Sequence, residues 1–155
     1  MLQRIQSIYL LLASLVVFAL FLFPLAHNIY VEAKPINLMV TGVYQDVNGT
    51  LVHTEDFLAL TVVTAIIGII PIIIIFLYKN RKQQIAFSYG TILVIIGYSF
   101  WVAQTAKAVT GGVTLDTKNF GIGLFLCPAA ILLLIMAIKG IQRDEKLIKS
   151  ADRLR

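Results

Sequence analysis

Four long segments without a single charged residue constrain the fold of this 155-residue chain more than any other feature. A helix rising about 1.5 Å per residue needs about 20 apolar residues to cross a hydrocarbon core about 30 Å thick. Each segment is about that long, and none contains Asp, Glu, Lys, Arg or His. The sequence therefore predicts four transmembrane helices, over residues 5–26, 57–78, 85–106 and 120–138.

A water-soluble bundle is the alternative interpretation, and the composition argues against it. Apolar residues make up 59% of the chain and the mean hydropathy is +0.87, whereas soluble domains are about 45–50% apolar. Soluble helices also need a polar face, and these segments are apolar all round. The first segment is longer than a signal-peptide core, so we expect it to stay uncleaved. We predict an all-α integral membrane protein, a four-transmembrane-helix bundle forming one membrane domain over residues 1–155.

The distribution of Lys and Arg predicts the orientation of the bundle. Ten of the 13 basic residues flank one side: Arg4, three in the loop 79–84 and six in the tail 139–155. The loops 27–56 and 107–119 hold only three. Because cytoplasmic loops carry the excess of Lys and Arg, both termini are predicted to be cytoplasmic, with the loop 27–56 outside.

The tail "IKGIQRDEKLIKSADRLR" (138–155) is predicted to extend the fourth helix into the cytoplasm, since no proline interrupts it. Glu145 and Lys149 are spaced to form a favourable ion pair. One interpretation is a topology anchor, whose charges contact anionic lipid headgroups. The other is a helix that docks on a cytoplasmic partner or on the loop "KNRK".

The outer loop contains a β-hairpin signal, "VYQDVNGTLVHT" (43–54). Asn48-Gly49 is the preferred pair for a two-residue type I′ turn. That turn predicts that Val47 pairs with Thr50 and Gln45 with Val52. Asp56, just before the second apolar segment, is predicted to cap its helix. We also expect the loop 107–119, with its Gly-Gly turn, to form a small β segment beside the hairpin.

Small residues and a proline are the notable features within the segments. Gly90 and Gly97 lie on roughly one helical face and predict contacts with neighbouring helices. Gly123 and Cys127 are spaced by four in the fourth segment and predict the same kind of contact. Pro71 is predicted to kink the second helix.

No arrangement of residues typical of catalysis is present. The segments lack the titratable group that a proton- or ion-coupled transporter needs at depth, and the common nucleophile and phosphate-binding motifs are absent. His27 and His53 lie among loop acids without metal-ligand spacing. We therefore predict no enzyme activity, no cofactor and no metal site.

Both ends of the chain resemble one family. "MLQRIQSIYLLLA" and "KGIQRDEKLIKSADRLR" are similar to small four-span bacterial inner-membrane proteins known only as a domain of unknown function. The resemblance implies a bacterial inner-membrane setting and carries no activity or substrate. It draws attention to the following residues: Gln3, Arg4, Gln6, Arg143, Asp144, Glu145, Asp152 and Arg153. We hypothesise that Arg4 pairs with Asp144 or Glu145 and closes the inner end of the bundle.

The leading hypothesis for function is a non-enzymatic accessory or scaffold subunit of a larger inner-membrane assembly. The alternative is a transporter or binder of an apolar small molecule or lipid that uses the Pro71 kink and an opening between helices. An enzyme acting on lipid through Asp56 is the weakest of the three. Membrane lipids and a larger membrane protein complex are the expected partners, and nucleic acid is not.

Overall fold

The computed structural model describes residues 3–31, 34–47, 50–111 and 119–152. Within these ranges, four α-helices and four strands build the fold. The helices are α1 (Gln3–Phe18), followed by a 3₁₀ turn (Ala19–Phe21), α2 (Leu58–Phe76), α3 (Arg81–Thr110) and α4 (Gly123–Asp152). The strands are β1 (Ala26–Val31), β2 (Lys34–Leu38), β3 (Gly42–Val47) and β4 (Thr50–Asp56), all between α1 and α2.

Within the described residues, three helical segments are long and apolar enough to cross a membrane, namely Leu58–Phe76, Arg81–Thr110 and Gly123–Ile148. The first apolar helix, Ile5–Phe21, is shorter. The apolar sequence continues to Ala26, but β1 already begins there. Pro24 contributes to the end of the helix, because proline has no amide hydrogen and disfavours helical backbone in the residue before it. At the other end of the chain, α4 continues without a break from the apolar segment into the basic tail.

The helices pack through narrow stripes of buried residues. α1 and α3 each contact both α2 and α4. Buried positions recur at alternating spacings of three and four, as in the seam of a coiled coil. On α3 these are residues 84, 88, 91, 95, 98 and 102, and on α4 residues 127, 130, 134, 137, 141 and 144. Many are small or hydroxyl-bearing, which is how helices approach closely in lipid.

Three hydrogen bonds made by polar side chains link neighbouring helices inside the bundle. The Ser14 hydroxyl donates to the carbonyl oxygen of Gly68 at 2.7 Å and joins α1 to α2. The hydroxyls of Thr64 and Tyr98 lie 2.5 Å apart and join α2 to α3. Gln84 Nε2 donates to the carbonyl oxygen of Ile74 at 3.2 Å, near the C-terminal end of α2. These bonds satisfy polar groups that would be costly in an apolar setting.

The strands form one antiparallel sheet in the order β1-β2-β3-β4. The predicted hairpin is β3–β4, and its predicted register is confirmed: Val47 pairs with Thr50 and Gln45 with Val52. Its turn residues, Asn48 and Gly49, lie outside the described residues. The prediction of a lone hairpin was incomplete, because β2 pairs with β3 and β1 with β2. The sheet buries Ile29, Ile36, Leu38 and Val43 in the same hydrophobic core as the helices.

The predicted helix cap at Asp56 is wrong. Asp56 ends β4, and Phe57 precedes α2 without a side-chain cap hydrogen bond. The Asp56 carboxylate lies 3.2 Å from His53 Nε2 instead. Asp56 pairs with Gly42 as the last residue of β4. The sheet therefore extends almost to α2, and Asp56 is part of the strand rather than of the first helical turn.

The end of the loop 107–119 docks on β1, at the opposite edge of the sheet from the hairpin. Phe120 forms a β-bridge with Ala26, and the Gly121 amide donates to the carbonyl oxygen of Leu25 at 2.9 Å. Asn119 Nδ2 donates to the carbonyl oxygen of Asn28 at 3.0 Å. The predicted β segment of this loop falls mainly on residues 112–118, outside the described part of the chain.

Candidate functional site

The residues singled out at the charged end lie in different environments. Asp144 is buried, Arg143 is exposed and Glu145 is half-buried. The side chains of Arg4 and Asp152, and the whole of Arg153, fall outside the described part of the chain. The predicted pairing of Arg4 with Asp144 or Glu145 therefore stays a prediction.

A buried hydrogen bond joins the two ends of the chain. Gln6 Nε2 donates to Asp144 Oδ2 at 2.5 Å, and the two residues are only 6% and 7% exposed. Gln6 also lies against Gly140, where an added Cβ would come within 2.9 Å of Gln6 Cγ. The start of α1 is therefore held against α4 by a polar contact that excludes solvent.

The predicted helix-contact residues differ in what they touch. Pro71 is fully buried inside α2. Gly90 and Gly97 are exposed on α3, and a Cβ added at either would meet no atom within 4 Å. These glycines do not pack against the other described helices, so any helix that they contact belongs to another molecule.

An apolar groove of about 540 Å³ runs between α3 and α4, on the side of the bundle nearest the sheet. Its volume is within the roughly 300–1,000 Å³ of small-molecule sites. The α3 wall contains Ile96, Ser99 and Val102. The α4 wall contains Gly123, Leu124, Cys127, Pro128, Ile131 and Leu132. The Ser99 hydroxyl donates to the carbonyl oxygen of Ile95 at 2.7 Å, within its own helix. The groove is therefore suited to an apolar ligand.

A second hollow of about 300 Å³ adjoins the groove, with which it shares Leu25, Val102 and Leu124. Its lining also includes Lys107 and Phe120. The combined space thus leads from the apolar middle of α3 and α4 to a cation at the sheet end. The space therefore changes from apolar to partly polar along its length.

The described titratable side chains of the sheet include a close pair, His53 and Asp56. No group of three or more His, Cys, Asp or Glu in the described ranges is placed to hold a metal ion. His53 contacts Asp56 and packs on Tyr44 with ring centroids 4.7 Å apart. This cluster is accounted for by the packing of the hairpin.

Sequence reasoning predicted a packing role for Gly123 but missed the close contacts of Gly121 and Gly68. Gly121 and Gly123 pack directly on the backbone of Pro24, and a Cβ at Gly123 would lie 2.8 Å from the Pro24 carbonyl oxygen. Gly68 similarly lies under the ring of Phe18, 2.9 Å from the position of an added Cβ. Small residues spaced by four, Thr64 with Gly68 and Gly123 with Cys127, are the signal that points to part of these contacts.

The fold defines the class of the protein. It is mostly helical, with three helices suited by length and composition to crossing a membrane and a small antiparallel sheet at one end. The chain belongs to the family described as "Domain of unknown function (DUF4293)", which it matches over residues 2–154. The resemblance to a family of unknown function is thereby confirmed. Comparison with curated proteins gives no match.

Proposed function

We propose that this protein is a non-enzymatic, four-span protein of the bacterial inner membrane that serves as an accessory or scaffold subunit of a larger assembly. Both termini are cytoplasmic in this proposal, because ten of the 13 basic residues flank that side. The sheet then lies on the outer side and offers a surface to a partner.

The position of α1 supports a fourth span. Its first turns contact Gly140 and Asp144 of α4, while Pro24, just beyond it, contacts Gly121 and Gly123 at the other end of α4. The helical rise between Gly123 and Gly140 corresponds to about 26 Å. α1 and the turn after it therefore cover nearly the same apolar thickness as α4, which is close to a hydrocarbon core of about 30 Å.

The observation that carries the subunit proposal is the vacant space beside Gly90 and Gly97. A glycine inside a helix makes the helix less stable by roughly 1 kcal/mol than alanine does. Contact with lipid does not compensate for this loss. A partner helix gains close backbone approach. At 100° per residue the two glycines share a face with Ala86 and Gln104, which are also exposed. Leu93 is exposed on the same face, so the two glycines and Gln104 flank a large apolar side chain that a second membrane helix could pack against.

Gly97→Phe is expected to remove a partner that co-purifies with the tagged protein from its native membrane in mild detergent. The bulky ring blocks helix approach without touching the chain's own core. Ile66→Phe on α2 is the control, since Ile66 is exposed as well. The proposal requires one partner in fixed stoichiometry that survives Ile66→Phe. Equal recovery from both variants would contradict it.

The groove between α3 and α4 favours a second candidate function, binding of an apolar ligand or lipid. Ser99→Phe would fill the groove, whereas Ser99→Ala would leave it open. Native mass spectrometry of the purified protein is expected to show bound lipid in the unmodified chain and in Ser99→Ala, and little in Ser99→Phe. The same amount of lipid in all three proteins would exclude the groove as its site.

A further inference from the structure

A separate cavity lies at the end of the bundle opposite the sheet, where α1 begins, α2 ends and α3 begins. Its volume is about 490 Å³. Polar residues line one part of it and apolar residues the other: Gln6, Ser7, Tyr78, Arg81 and Gln84, against Ile8 and Ile75. None of the lining residues is acidic. The lining is therefore amphipathic with Arg81 as its cation, while the buried Asp144 carboxylate lies behind Gln6 and accepts its hydrogen bond.

Arg81 is the unusual member of this lining. Its Nη1 atom is buried, yet it has no hydrogen-bond partner within the described residues. Leaving a guanidinium nitrogen desolvated and unpaired is costly, and buried cations normally have a partner. Gln6 and Gln84 also line the cavity, with their amide nitrogens donating to Asp144 and to the Ile74 carbonyl, and neither residue hydrogen-bonds Nη1. Arg81 thus presents an unused donor beside an open space.

The local backbone adds to the positive potential. Arg81 is the first residue of α3, and Asn80 before it makes no side-chain cap hydrogen bond. The first amide groups of a helix carry partial positive charge and attract anions. Lys79 and Lys82 are exposed on either side. A negatively charged group is the complement of this environment.

We propose that this cavity binds a phosphoryl anion through Arg81. The arginine fork matches phosphate geometry, and a phosphate would provide the acceptor that Nη1 lacks. The favoured source is an anionic phospholipid, because Ile8 and Ile75 offer an apolar surface for its acyl chains. The site lies away from both the Gly90–Gly97 face and the groove, so the proposal does not depend on the function proposed above.

The test uses the full chain in a neutral detergent, with thermal unfolding measured as ligand is added. The probes are short-chain phosphatidylglycerol, short-chain phosphatidylcholine and inorganic phosphate. We expect phosphatidylglycerol to raise the unfolding temperature more than phosphatidylcholine. With Arg81→Gln, a roughly tenfold higher concentration of phosphatidylglycerol should be needed for the same rise in unfolding temperature. This factor is the one expected for the loss of a charge-assisted hydrogen bond. Lys82→Gln, with the same charge change one residue on, should leave most of it.

The outcomes separate the sources of the anion. Stabilisation by inorganic phosphate alone, lost in Arg81→Gln, would support the site but assign it to free phosphate. Equal stabilisation by both lipids would overturn the proposal, and so would equal weakening by Arg81→Gln and Lys82→Gln. If Arg81→Gln does not fold, Arg81→Lys takes its place. It keeps the charge but loses the fork, so it should bind phosphatidylglycerol more weakly than Lys82→Gln does.

Discussion

Replacing Gly121 by alanine is expected to destabilise the protein by about 3 kcal/mol, near the upper end for overpacked positions. An added Cβ would overlap the backbone carbonyl of Pro24. The chain has little room to move aside, because the Gly121 amide donates to Leu25 at 2.9 Å and the Gly123 amide to Pro24 at 3.0 Å. The start of α4 would have to separate from Pro24 and Leu25, and both hydrogen bonds would weaken.

Gly90→Ala is the matched control for this experiment. Gly90 lies inside α3 with no neighbouring atom within 4 Å of an added Cβ. The same chemical change there should stabilise the helix by up to about 1 kcal/mol. Chemical denaturation of both purified variants in detergent measures the difference. Similar free energies of unfolding for Gly121→Ala and Gly90→Ala would contradict the close approach at Pro24.

Gln6→Leu is expected to cost about 2–3 kcal/mol of stability, because it leaves the Asp144 carboxylate buried without its described partner. Asp144→Asn should cost much less, since an amide oxygen still accepts a hydrogen bond from Gln6. The double variant Gln6→Leu, Asp144→Leu should recover part of the loss, because replacing both partners by apolar groups removes the unpaired charge. The double variant should therefore lose less stability than the sum of the two single Leu variants, and this difference is the specific sign of the Gln6–Asp144 interaction.

Gln142→Leu provides the control for the Gln6 experiment. Gln142 lies at the same end of the bundle, but its contact with Tyr89 is exposed and 3.5 Å long. We expect a change in the free energy of unfolding below about 0.5 kcal/mol, as for ordinary surface positions. If Gln6→Leu were no more destabilising than Gln142→Leu, the buried link between the two ends of the chain would carry no stability.

The hairpin illustrates what local sequence can predict. Asn48-Gly49 and the flanking β-branched residues were enough to give the register of β3 and β4, because a two-residue turn determines which residues face each other. β1 and β2 carry no comparable turn signal. These two strands join the sheet because Ile29, Ile36 and Leu38 are buried in the same hydrophobic core as the helices. That stabilisation comes from contacts distant in the sequence.

The glycines of α3 illustrate the opposite case. Their spacing predicts close packing but does not say against what, and in this chain they face open space. Spacing along a helix specifies a face, while the identity of the neighbour depends on how four helices are arranged. The same limit applies to Gln6 and Asp144, which are 138 residues apart and meet only because α1 and α4 are antiparallel neighbours.

The sequence by itself determined the number and approximate position of the apolar helices, the charge asymmetry of the loops and the hairpin register. These properties follow from interactions with solvent or between residues close in the chain, so composition and spacing suffice. Only the tertiary structure decided which distant residues meet, such as Gln6 with Asp144 and Gly121 with Pro24, and that Arg81 lines a cavity. Such pairings depend on helix order and crossing, which arise from summed packing over the whole bundle.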